Sequence, residues 1–113
     1  MFRRLVLEND FILVERLLRL GQNPFVKFDH DWSALHICCI YGYYRLAEIF
    51  LDFQLNPNGL DDFHYSPLFY SVVNGDRNLV TLLLNRGANP RLQIGNNETV
   101  LQYSGSDLLP LLL

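Results

Sequence analysis

Three short phrases in this chain fall at a constant spacing. Ser33-Ala34-Leu35-His36 returns as Ser66-Pro67-Leu68-Phe69 and again as Thr99-Val100-Leu101-Gln102, a period of 33 residues. Asn23-Pro24 returns as Asn56-Pro57 and Asn89-Pro90, and Leu13, Leu46 and Leu79 keep the same register. A fixed period of this size makes each unit one supersecondary element that cannot bury its apolar face alone. The units must stack. The product is an extended surface rather than a closed pocket, which points to binding before any single side chain is considered.

Composition agrees with a folded chain. Half of the 113 residues are apolar and 19% are charged, which argues against disorder. The net charge of −3 offers no basic excess for nucleic acid and no polybasic helix for a membrane surface. The longest apolar run, Leu108 to Leu113, is too short to span a bilayer and carries Pro110. The start, Met1 to Glu8, turns acidic too soon for a signal peptide. Cys38 and Cys39 are neighbours; side chains about 100° apart on a helix do not favour a mutual bridge, so two reduced core thiols and a cytoplasmic, or nuclear, chain are expected.

The phrase Ser-Ala-Leu-His-Ile-Cys-Cys at Ser33–Cys39 resembles the Thr-Pro-Leu-His-x-Ala signature of ankyrin repeats. The stretches ending Leu17-Leu18-Arg19-Leu20-Gly21-Gln22-Asn23-Pro24, Leu51-Asp52-Phe53-Gln54-Leu55-Asn56-Pro57 and Leu84-Asn85-Arg86-Gly87-Ala88-Asn89-Pro90 are similar to that family's second helix and exit loop. The resemblance implies an all-α, ankyrin-type helical solenoid of helix-turn-helix pairs joined by short β-hairpin loops. It divides the chain into an N-cap repeat (1–24), full repeats (25–57 and 58–90) and a partial C-terminal repeat (91–113). Ser66 is expected to cap a helix that starts at Pro67, and Gly75-Asp76 to break it. Where the family has glycine before the Ser/Thr position, this chain has Asp31, His64 and Asn97, the residue types that best tolerate positive φ. The terminal leucines are expected to fold onto the preceding repeat, to meet a partner or a second copy, or to lead into further chain.

The family also places the partner-facing surface on the hairpin tips and inner helices. In this sequence those positions are Asp29, His30 and Trp32; Asp62, Phe63 and Tyr65; and Gly95, Asn96 and Glu98. On the inner helices they are Ile40, Tyr41, Val73 and Asn74. Trp32 and Tyr65 share one register, so their rings are expected side by side in an exposed aromatic row suited to protein recognition. Asp29, Asp31, Asp61 and Asp62 are expected to form an acidic edge that steers a basic partner segment.

The function implied is a non-catalytic protein–protein interaction module, an adaptor, inhibitor or targeting subunit, without cofactor, nucleic acid or membrane as partner. A monomer is expected, with self-association through Leu108–Leu113 as the variant. The competing reading is a structural spacer or a fragment of a larger ankyrin-repeat protein. A weaker one is a small metal-dependent enzyme using His30, His64 and the finger aspartates, although no ligand motif is present. His36 is expected to hydrogen-bond to Ser33 and across repeats, not to activate Cys38 or Cys39.

Overall fold

The computed structural model describes residues Met1–Leu113. The chain forms seven α-helices: α1 (Phe2–Leu7), α2 (Phe11–Arg19), α3 (Ala34–Tyr41), α4 (Tyr44–Asp52), α5 (Pro67–Val73), α6 (Arg77–Asn85) and α7 (Leu109–Leu112). They pair as α1–α2, α3–α4 and α5–α6, and the pairs stack into a body 40 Å long. A 3-10 turn at Val100–Tyr103 and α7 close the far end.

Local chemistry sets the helix starts. The hydroxyl of Ser33 accepts from the His36 N–H at 3.2 Å, and that of Ser66 from the Phe69 N–H at 3.3 Å. At the third repeat of this register Thr99 Oγ1 accepts from Leu101 N–H. Each satisfies an amide the helix leaves without a partner. Asp10 and Asp76 cap α2 and α6 in the same way. Each Asn-Pro exit is a turn in which the Asn side-chain oxygen accepts from the N–H two residues on, at 2.9 Å from Phe25, Asn58 and Arg91. Asp31, His64 and Asn97 all take positive φ, at 57°, 65° and 65°, as their residue types suggest.

One apolar spine runs through the stack. Val14, Leu46, Phe50, Leu79 and Leu83 from the outer helices meet Val6, Leu35, Ile37, Leu68 and Val72 from the inner ones, all buried. The terminal leucines join it: Leu108 and Leu112 are buried members of the same core, while Leu109 and Leu113 stay exposed.

The loops between repeats project as fingers, but they are barely hairpins. The first and third have one isolated antiparallel bridge each, Lys27 with Ser33 and Ile94 with Glu98. The second has none. In the third finger Ile94 and Glu98 exchange both backbone bonds, at 2.7 and 3.0 Å. In the second, Asp61 N–H donates to the Tyr65 carbonyl, but the returning Tyr65 N–H is diverted to the Asp61 side chain. The fingers are tied to one another by Asp62 N–H to the His30 carbonyl and Gly95 N–H to the His64 carbonyl, both 3.0 Å.

Candidate partner-recognition face

The fingers and the inner helices α1, α3 and α5 form one side of the stack. Large apolar side chains exposed there include Tyr41 (57%), Val73 (53%), Phe63 (48%) and Leu7 (43%). Leu7 and Val73 occupy one register two repeats apart, with Ile40 between them. Asp29, His30, Asp62 and Asn96 are exposed on the fingers, and Ile40 is half-buried. Between the first finger and the inner helices lies an open cleft of about 490 Å³, lined by Arg3, Leu7, Lys27, Phe28, Asp29, Trp32, Ile37 and Tyr41.

Several of the remaining sequence candidates have internal duties. Trp32 and Tyr65 are half-buried, and Tyr70 stands edge-on to both, with ring centroids 6.4 and 6.2 Å away. Tyr65 lies flat on Phe69 at 3.9 Å. The two rings are therefore not an exposed row; they pack the fingers onto α5. Asn74 donates to the carbonyls of Cys39 and Ile40 at 3.2 and 3.1 Å, capping the end of α3. Glu98 accepts from the Tyr103 hydroxyl at 2.9 Å.

Asp61 departs most from the expectation of an acidic edge. It is 5% exposed. One carboxylate oxygen accepts from the N–H groups of Phe63 and Tyr65, each at 2.9 Å. The other accepts from the Trp32 indole N–H at 2.9 Å and from the Tyr70 hydroxyl. Burial raises its pKa, but donation from Tyr70, the two amides and Trp32 outweighs that and holds the carboxyl below its ordinary value. The Tyr70 hydroxyl is correspondingly pushed up, by burial first and then by the carboxylate. A register comparison finds this residue: Phe28 and Ile94 occupy the same position in the other fingers, and Ile94 is core. A carboxylate in that apolar column must be satisfied internally.

His36 is buried and belongs to the same scaffold. Its Nδ1 accepts from the Ser33 N–H at 3.1 Å, so the proton sits on Nε2, which donates to the Tyr65 carbonyl at 2.9 Å. Burial lowers its pKa, only partly offset by that carbonyl and by Asp61, and the ring is neutral near pH 7. The neighbouring thiols are buried; burial pushes Cys39 up to about 12 and Cys38 well above its ordinary value, so neither is a ready nucleophile. No group of three His, Cys, Asp or Glu side chains is placed to hold a metal ion. No helix is long and apolar enough to cross a membrane.

Repeated helical pairs, one spine and a row of projecting fingers define a stacked-repeat protein. The ankyrin-repeat family model, in its three-copy form, matches residues 4–94, and the chain belongs to that family. Repeats of this kind generally mediate protein–protein interactions. The chain is similar to an ankyrin repeat protein of Acanthamoeba polyphaga mimivirus, 30% identical over 87% of this chain and 13% of that protein. It is also similar to one from Borreliella burgdorferi, 24% identical over 76% of this chain and 39% of the relative. A third relative is the human BCL-6 corepressor-like protein 1, 26% identical over 95% of this chain and 7% of its length. The chain thus spans well under two thirds of each.

Proposed function

We propose that the chain is a non-catalytic recognition module, of the adaptor, inhibitor or targeting kind, which binds another protein along the fingers and inner helices. The observation that carries this reading is the open cleft on the finger side, lined in part by exposed Leu7 and Tyr41, with exposed Phe63 and Val73 on the same side of the stack. Large apolar side chains grouped on one face mark interaction sites, and aromatic ones are the commonest anchors. The binding positions are Asp29, His30, Ile40, Tyr41, Asp62, Phe63, Val73 and Asn96, with Trp32, Tyr65, Asn74 and Glu98 supporting them from beneath. Asp29 and Asp62 favour a basic partner segment. The repeat boundaries adopted are 1–24, 25–57, 58–90 and 91–113, supported by the helix pairing. Buried, unpaired thiols support a reducing compartment, the cytoplasm or nucleus.

The test is a pair of surface variants. Tyr41→Ala with Phe63→Ala should leave the melting temperature within about 2 °C and abolish partner capture from cells that express the chain, since exposed substitutions cost little stability. Capture that survives this change but is lost with Thr81→Arg on the outer helix α6 would refute the assignment. A second reading, a spacer within a longer protein, is favoured by the small share of each relative that the chain spans. It predicts that neither variant alters any captured protein.

A further inference from the structure

We propose that the cleft beside the first finger takes a linear segment of a partner protein in which a bulky apolar side chain lies within a few residues of an arginine or lysine. This rests on the recognition reading above and specifies its ligand chemistry. The cleft walls Leu7, Phe28, Trp32, Ile37 and Tyr41 are apolar, and about 490 Å³ is within the range of a site that receives side chains. An occupant without an apolar anchor would leave those walls to water.

The charges at the cleft decide the second feature. The Lys27 ammonium is 3.7 Å from the Asp31 carboxylate, which partly offsets its charge. Arg3 is tied to the base of the finger, its Nε donating to the Lys27 carbonyl at 2.7 Å, and disfavours a second cation at that point. Asp29 lines the cleft and makes no ion pair. Nor does Asp62, which holds the same register one repeat on and whose N–H is bonded to the His30 carbonyl. Two carboxylates without an ion-pair partner therefore stand in one register on adjoining fingers. Beside them the His30 and Phe63 rings meet at 5.1 Å, with Phe63 open to solvent. A cation placed there meets negative charge and an aromatic face; a guanidinium suits the site better than an ammonium because it is planar and less strongly hydrated. A carboxylate placed there is repelled.

The single tryptophan, Trp32, lines the cleft and reports on its contents. The test uses three sets of end-blocked twelve-residue peptides, titrated against Trp32 fluorescence. One set carries Leu or Phe one to three positions from an Arg, the second replaces that Arg by Glu, and the third keeps Arg but lacks the apolar residue. The first set should bind at least tenfold tighter than either other set. Asp29→Asn with Asp62→Asn should erase its advantage over the Glu set without lowering the melting temperature. Asp52→Asn with Asp107→Asn, which changes net charge equally, should preserve it. Equal binding of the Arg and Glu sets, or loss of the advantage in the control pair, would overturn the charge assignment while leaving the cleft a recognition site. No change in Trp32 emission with any set would overturn both.

Discussion

Replacing Asp61 with alanine should be among the most damaging single substitutions available in this chain. The carboxylate accepts four hydrogen bonds, from the Phe63 and Tyr65 amides, the Trp32 indole and the Tyr70 hydroxyl. A hydrogen bond to a charged group contributes roughly 1.5–3 kcal/mol, and a buried donor left without an acceptor costs about 1–3 kcal/mol. Phe63 is exposed, so its amide regains water, and Trp32 and Tyr70 are half-buried and regain some. The net loss is then about 3–4 kcal/mol, against roughly 5–15 kcal/mol for a whole domain. For a chain of this length that lowers the melting temperature by roughly 10–20 °C. Calorimetry at pH 7 measures it. Asp61→Asn should fall between alanine and the parent, because the amide keeps one accepting oxygen. Tyr70→Phe should cost less than Asp61→Ala, and combining the two should be clearly less than additive, since both act on one network. A loss below about 1 kcal/mol for Asp61→Ala, or strict additivity with Tyr70→Phe, would refute the network as a stabilising element.

Acidification should destabilise the fold through His36 before it acts through Asp61. The folded pKa of His36 lies below its ordinary 6.5, so the unfolded chain binds more protons. Stability is complete above pH 6.5 and falls as the pH drops towards the folded value; His36→Gln should flatten that part of the melting profile, since Gln102 already serves the same capping role at Thr99. Asp61 adds a further loss below its ordinary 3.8, by the same sign. Thiol reagents should modify Cys38 and Cys39 only on unfolding, so labelling should accelerate with denaturant in step with loss of helicity. His64→Val, which forces a β-branched residue to φ 65°, should lower stability by about 1–2 kcal/mol in chemical denaturation, whereas His64→Gly should not.

Much of the architecture was readable from the period. Ser33 and Ser66, in one register, cap helices, and Asp31, His64 and Asn97 take the positive φ that their residue types tolerate. The leucine columns became the spine because packing at a fixed repeat leaves little freedom over which face is covered. The finger details were less readable. Asp61 sits next to Asp62 and looks like loop surface; only its alignment with Phe28 and Ile94 reveals a buried position. The missing bridge in the second finger follows from the same residue, whose side chain captures the amide that would close the ladder. Trp32 and Tyr65 share the register expected of them, but the intervening Tyr70 lies on α5 and is not apparent from finger positions alone.

The claim that the fingers and inner helices are the binding face is tested most directly by site-resolved photo-crosslinking. A benzophenone amino acid placed singly at Tyr41 and Phe63 on that face, and at Ile12 and Thr81 on the outer helices α2 and α6, would be irradiated in cells that express the chain. All four positions are exposed, so each reagent is equally free to react. The expected result is one discrete adduct, shared by positions 41 and 63 and absent at 12 and 81. The same adduct at 12 or 81, with nothing at 41 and 63, would contradict it.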